Sequence, residues 1–338
     1  MKTLIVGGNF GDEPKASSVV TKIGYEFEKV ETINGGTLES LPHEMNMDLI
    51  IWMPNITNEN PKQYPKKSNG NVLICSKVMR EGYLRAEAVS RIFKMRGNAV
   101  IAIYPGEKFV FELIDALGNT WYTGSEIPEL CKSIKEFYAF TNEAWRINSE
   151  RQDIENIERN NDLVEFIEVN KSLTEFIQTS CGTRFFGNIS TRCQKLFPAM
   201  KVENDYVFVS PRNSNKESLT PEDMILAWLD INNGEFKNVI YSGINKPSVD
   251  TPIQVMLYNM HQDVNYMIHG HAFIKDCPTT NEYYVCGDMR EVDEVDGFMC
   301  DKAYGKINLK KHGFLIFADT LDNLKQVIKT CEFDYQRE

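Results

Sequence analysis

Along the first 125 residues, short apolar runs alternate with polar or helical stretches. Residues 3–6, 49–53, 72–75 and 100–104 are brief, rich in β-branched side chains and bounded by Gly, Pro or Asn, the pattern of strands buried on both faces. Between the last two, Leu84, Ala88, Ile92 and Phe93 fall at helical spacing within residues 79–95. This alternation predicts an α/β, Rossmann-like domain with a parallel sheet. Residues 109–113 and 120–122 predict a strand pair turning at Gly118-Asn119.

From 127 to 178 the pattern changes to long helical periodicity with dense charge, including the run Glu150 to Glu155, which predicts a solvated helical connector. The expected domains are therefore 1–150 and 151–338. Beyond the connector, residues 206–209 and 239–241 predict strands. Ile253, Met256, Leu257 and Met260 predict a helix with one buried face, and residues 264–271 and 314–317 two more strands.

Composition adds bounds. A chain of 338 residues is long for one core and comfortable for two. At 42% hydrophobic and 25% charged it is an ordinary globular composition. The net charge is −11, with 17 basic and 19 acidic residues up to position 150 and 20 and 29 after it. That acidic excess argues against nucleic acid and anionic membranes as partners, which basic patches would attract. The opening apolar run is too short for a signal-peptide core, and no stretch approaches the roughly 18 apolar residues of a membrane span. The eight cysteines are scattered without a CxxC pair. A cytoplasmic protein with free thiols is expected.

Chemistry enters with His269-Gly270-His271 at the end of a strand-like run. Side chains two apart on a strand share a face, so both imidazoles can meet one point. Two such histidines make half of a metal site, and His312, before Gly313 and another strand, is a possible third ligand. Satisfied core or surface histidines are the alternative. Asp250 and Thr251 precede Pro252 at a helix start, so either could cap that helix.

Four motifs recur in order: Gly187-Asn188-Ile189-Ser190; Pro247-Ser248-Val249-Asp250-Thr251-Pro252; Asp263-Val264-Asn265 leading to His269-Gly270-His271; and His312-Gly313. Together, over residues 165–330, they resemble the class II aldolase/adducin family. The resemblance implies an α/β/α domain with a central, mainly antiparallel sheet. It also implies a Zn2+ (or another divalent transition metal) held by His269, His271 and His312, and Asp250 in the catalytic carboxylate position. PSVDTP is closer to the family's epimerase form than to its aldolase form. The implied chemistry is retro-aldol cleavage or epimerisation of a sugar or sugar phosphate through a zinc-stabilised enediolate. Homo-oligomers, commonly tetramers, are expected.

Of the family's phosphate-holding groups, Asn188 and Ser248 remain. The second serine is Val249, and Pro211-Arg212-Asn213 replaces Pro-Ser/Thr-Gly, which removes a hydroxyl and a glycine. Arg212 could bind phosphate or carboxylate in their place, or be an ordinary loop arginine. These departures imply a substrate other than the usual ketose phosphates. Tyr335 is the candidate for the family's C-terminal tyrosine. A non-catalytic scaffold or nucleotide-binding protein and a family-related dehydratase are the competing functions. In the first domain, Gly7-Gly8-Asn9-Phe10-Gly11 follows the first strand but lacks the first glycine of a dinucleotide fingerprint. It is read as a glycine turn, with phosphate binding as the alternative. Lys62, Lys66 and Lys67 read as a solvated cluster.

Overall fold

The structure is a computed structural model that describes residues 1–7, 14–33, 46–53, 71–154, 161–177, 180–181, 184–192, 206–232 and 235–334. The glycine turn after Gly7, the lysine cluster and Tyr335 lie outside the described residues. The chain divides into two compact units, Met1–Glu143 and Ala144–Glu338.

The first unit runs β1 (Thr3–Gly7), α1 (Pro14–Tyr25), β2 (Val30–Ile33), β3 (Leu49–Met53), β4 (Val72–Val78), α2 (Arg85–Met95), β5 (Ala99–Tyr104), β6 (Val110–Asp115), β7 (Thr120–Gly124) and α3 (Ile127–Glu143). Its seven-stranded sheet has the order β2-β1-β3-β4-β5-β6-β7. The first five strands are parallel, and β6 and β7 are added antiparallel. The continuous apolar runs have a physical cause: alternate residues serve two cores. Ile5, Ile51, Ile74 and Ile101 pack with Ile23 of α1 and Ile134 of α3. Leu4, Trp52, Leu73 and Val100 pack with Ile92 of α2 on the other face.

Helix α2 starts later than residue 79, where the apolar spacing placed it. Gly82 sits at φ 81° in a turn closed by Tyr83 N–H donating to Arg80 O, and Leu84 is an exposed N-cap. The strand pair does turn at Gly118, where the Asp115 carboxylate accepts from the N–H groups of Leu117 and Asn119.

The second unit begins with β8 (Asn148–Arg151), then α4 (Asn161–Lys171), α5 (Thr174–Ile177), β9 (Ser180–Cys181), β10 (Arg184–Phe185), β11 (Asn188–Arg192), β12 (Val207–Val209), β13 (Ile225–Asn232) and β14 (Glu235–Ser242). It continues with α6 (Thr251–Met260), β15 (Tyr266–Gly270), β16 (Phe273–Ile274), α7 (Glu291–Met299), β17 (Tyr304–Leu309), β18 (Gly313–Ala318), α8 (Leu321–Lys329) and β19 (Phe333–Asp334). An eight-stranded sheet has the order β17-β18-β15-β11-β12-β13-β14-β8. Its neighbours pair antiparallel except β14 with β8.

Helices cover both faces. Phe166 of α4, Ile177 of α5 and Leu324 of α8 pack against Ile189, Ile268 and Ile316. Leu257 of α6 and Val295 of α7 pack against Val209, Met267 and Phe317. The continuous helical connector expected over 127–178 is interrupted by β8, and the expected boundary at 150 falls inside that strand. Its residues, Asn-Ser-Glu-Arg, carry no apolar alternation; pairing with β14 makes them a strand. Helix α6 also departs from its expected single buried face, since every residue from Thr251 to Tyr258 is buried.

Candidate metal centre

Strand β15 and the turn before β18 bring the histidines together. His269 stands near the end of β15, His271 lies one residue beyond it, and His312 precedes β18, which pairs with β15 so that Gly270 faces Phe314. The close approach explains Gly313. A Cβ there would overlap the carbonyl oxygen of Gly270, so only glycine lets the turn fold onto the strand. All three histidines are buried, their rings are 4.8–5.3 Å apart, and ligand-capable atoms from each lie within 4.8 Å of one another.

The His269 ring is fixed by its Nδ1, 3.0 Å from the Phe314 carbonyl oxygen. Its Nε2 is buried with no hydrogen-bond partner. An orphaned buried nitrogen is costly, and a bound cation is one way to satisfy it. Burial, reinforced by nearby His312, pulls this imidazole down to about 4 against the opposing pull of Asp250 and the Phe314 carbonyl. It is therefore neutral at pH 7, the form that ligates metals. His271 is stacked on Phe186, with ring centroids 5.2 Å apart. His312 Nδ1 faces Glu291 Oε1 at 3.5 Å, and its Nε2 lies 3.4 Å from Cys286 Sγ. Burial raises the Glu291 carboxyl above its ordinary value, against the pull of His312. Three converging imidazoles, with His269 Nε2 and His312 Nδ1 both buried and without a hydrogen-bond partner, suit a divalent transition metal.

Asp250 occupies the N-cap of α6, yet its side chain makes no cap hydrogen bond. Its Oδ1 instead accepts from Gly287 N–H at 2.7 Å, and its Oδ2 lies 3.9 Å from His269 Nε2. The helix start thus aims the carboxylate at the histidines.

Asn188 opens β11 directly opposite His269 in register. Its amide donates to Ser248 Oγ at 3.1 Å, and Gln254 of α6 donates to its Oδ1. Arg212 is exposed on the turn after β12, where its backbone N–H donates to Lys246 O, two residues before Ser248. Asn213 takes φ 62°, the left-handed conformation that a glycine would adopt freely.

Four residues of this neighbourhood carried no signal in the motifs. Cys286 and Glu291 come from the segment between β16 and α7 and from the start of α7. Gln254 read only as part of a helix. Lys216 is buried, its Nζ donates to the carbonyls of Phe186 and Ser214, and burial lowers its pKa to about 7. Its hydrogen bond to Phe186 helps hold the ring that stacks on His271. A charged residue only 1% exposed is the kind of feature composition hides.

Among solved structures, an L-fuculose 1-phosphate aldolase is 20% identical over 52% of this chain and 82% of its own, with a TM-score of 0.37. A sugar-phosphate aldolase from Thermotoga maritima is 13% identical over 50% of this chain and 90% of its own, with a TM-score of 0.38. The N-terminal class II aldolase domain of a conserved protein from Thermoplasma acidophilum is 15% identical over 53% and 94%, with a TM-score of 0.32. No curated protein matches the chain. The Class II Aldolase and Adducin N-terminal domain model matches residues 167–274, so the resemblance carried by the motifs holds from α4 through His269 and His271, a stretch that ends before Cys286, Glu291 and His312.

Proposed function

We propose that the second unit is a metal-dependent aldol-type enzyme that cleaves or epimerises a hydroxylated sugar or sugar phosphate. The observation that carries this reading is the convergence of three buried imidazoles beside a carboxylate that leaves its helix uncapped to face them. His269, His271 and His312 would hold Zn2+ or another divalent transition metal. When bound, such an ion supplies Lewis-acid polarisation of the substrate's carbonyl and neighbouring hydroxyl oxygens.

The chain's own groups divide the remaining work. The Phe314 carbonyl fixes the His269 tautomer, leaving Nε2 as the ligating atom. Asp250, held at Oδ1 by Gly287 N–H, keeps Oδ2 to take or return one proton as a carbon–carbon bond breaks or re-forms. Asn188 and Ser248, braced by Gln254, present polar groups beside that carboxylate, and Arg212 supplies a guanidinium for an anionic substrate end. The same reading places the protein in the cytoplasm as a homo-tetramer, with a Rossmann-like first unit of unassigned role. No described helix is long and apolar enough to cross a membrane.

Metal quantification followed by incubation with ketose phosphates tests the proposal. Wild-type protein should carry one transition-metal ion per chain, and the double variant His269→Ala, His271→Ala should carry none. Aldehyde release is scored separately from epimer formation, so the two reactions are told apart. Full zinc occupancy in the double variant would sink the site assignment. Stoichiometric metal with no turnover of any ketose phosphate would leave a metal-retaining binding protein.

A further inference from the structure

We infer that Cys286 is a ligand of the same metal ion, bound as thiolate beside His269, His271 and His312; this inference rests on the metal-centre reading above. Two clusters of ligand-capable atoms share His312. One is His269, His271 and His312; the other is Asp250, Cys286 and His312, again with all atoms within 4.8 Å of one another. An ion on the Nε2 side of His312 would have the sulfur within reach, 3.4 Å from that nitrogen.

The spacing fits coordination. With zinc–nitrogen bonds of about 2.0–2.1 Å and a zinc–sulfur bond of about 2.3 Å, tetrahedral geometry puts the two ligand atoms roughly 3.5 Å apart. The Sγ to Nε2 distance is 3.4 Å. Orientation is compatible, because Glu291 faces the opposite nitrogen of that ring and Nε2 lies on the side of the sulfur. The orphaned Nε2 of the buried His269 points independently to a cation in this space.

The backbone holds the cysteine in place. Gly287 N–H donates to Asp250 Oδ1, and Gly287 adopts φ 76° where a Cβ would stand 2.8 Å from Val249 O. The loop is thus pinned against the Val249-Asp250 segment immediately after Cys286. Asp250 gives one oxygen to that anchor and turns the other to His269 Nε2, 3.9 Å away. Cys286 supplies the fourth ligand of the resting ion. When substrate oxygens take its place the S–metal bond breaks and the thiolate takes up a proton from solvent, and Asp250 retains its proton-transfer role. On metal binding the S–H bond breaks, the S–metal bond forms and the proton leaves to solvent. A thiolate among three imidazoles favours Zn2+ or Co2+ over Mn2+ or Mg2+.

Cobalt substitution of the full-length protein tests this. Wild-type protein loaded with one Co2+ should display visible ligand-field bands and, in addition, a near-ultraviolet sulfur-to-cobalt charge-transfer band. Cys286→Ser should still bind Co2+ and keep visible bands, but lose the charge-transfer band and bind at least about 10-fold more weakly. Stoichiometric Co2+ in the wild type without that band, or an unchanged band in Cys286→Ser, overturns the inference and leaves the three-histidine site standing. Failure of the wild type to bind Co2+ or Zn2+ at all overturns the metal-centre reading itself. Should Cys286→Ser fail to fold, X-ray absorption of the zinc-loaded wild type decides, since one sulfur scatterer at about 2.3 Å is required.

Discussion

Asp250 and Glu291 are both buried carboxylates near the histidines, and their surroundings give them different work. Asp250 is gripped at one oxygen by Gly287 N–H, with its other oxygen toward His269. Glu291 faces the far nitrogen of His312, where it can orient a ligand but not reach past it. Only Asp250 is placed to exchange a proton with substrate. Asp250→Asn preserves the acceptor for Gly287 N–H while removing the base. It should therefore lower kcat by about 100-fold or more while metal content stays at the wild-type level. Steady-state kinetics paired with metal analysis checks this. Loss of metal together with activity would assign Asp250 to coordination instead.

At the scale of elements, the approach of the turn before β18 to the end of β15 builds the site, and Gly313 is what permits it. Gly313→Ala forces that turn off the strand, at a cost of about 1–3 kcal/mol for the strained backbone alone. The expected result is a lower urea midpoint together with loss of metal, because His312 moves with the turn. An unchanged midpoint would mean that the close approach is unnecessary. The sequence made this pair readable: HGH and HG each put a glycine beside a histidine, and the strands on either side are apolar enough to be recognised. Strand β8 was illegible because an edge strand of four polar residues owes its conformation to β14 alone. The full burial of α6 was also hidden, since Gln254 looks like a solvent-facing residue until Asn188 is found opposite it. Cys286 and Glu291 escaped for a related reason. They reach His312 through tertiary packing, and their separation along the chain matches no metal-ligand spacing.

For the whole molecule, the distribution of core and charge bears on which part is sufficient. Each unit has its own pair of apolar clusters, one on either face of its sheet. The three histidines, Cys286, Asp250 and Glu291 all lie in the second unit. That half also carries most of the acidic excess, so attraction of an anionic substrate must come from local cations such as Arg212 and the bound ion rather than from net charge. A fragment spanning residues 144–338 retains β8, hence the complete eight-stranded sheet, whereas one starting at 151 cuts that strand. The 144–338 fragment should fold cooperatively and bind one Zn2+ with the affinity of the full chain, read by thermal unfolding with and without chelator. A fragment that folds but binds Zn2+ much more weakly would make the first unit part of the metal centre, contrary to the placement of every ligand described.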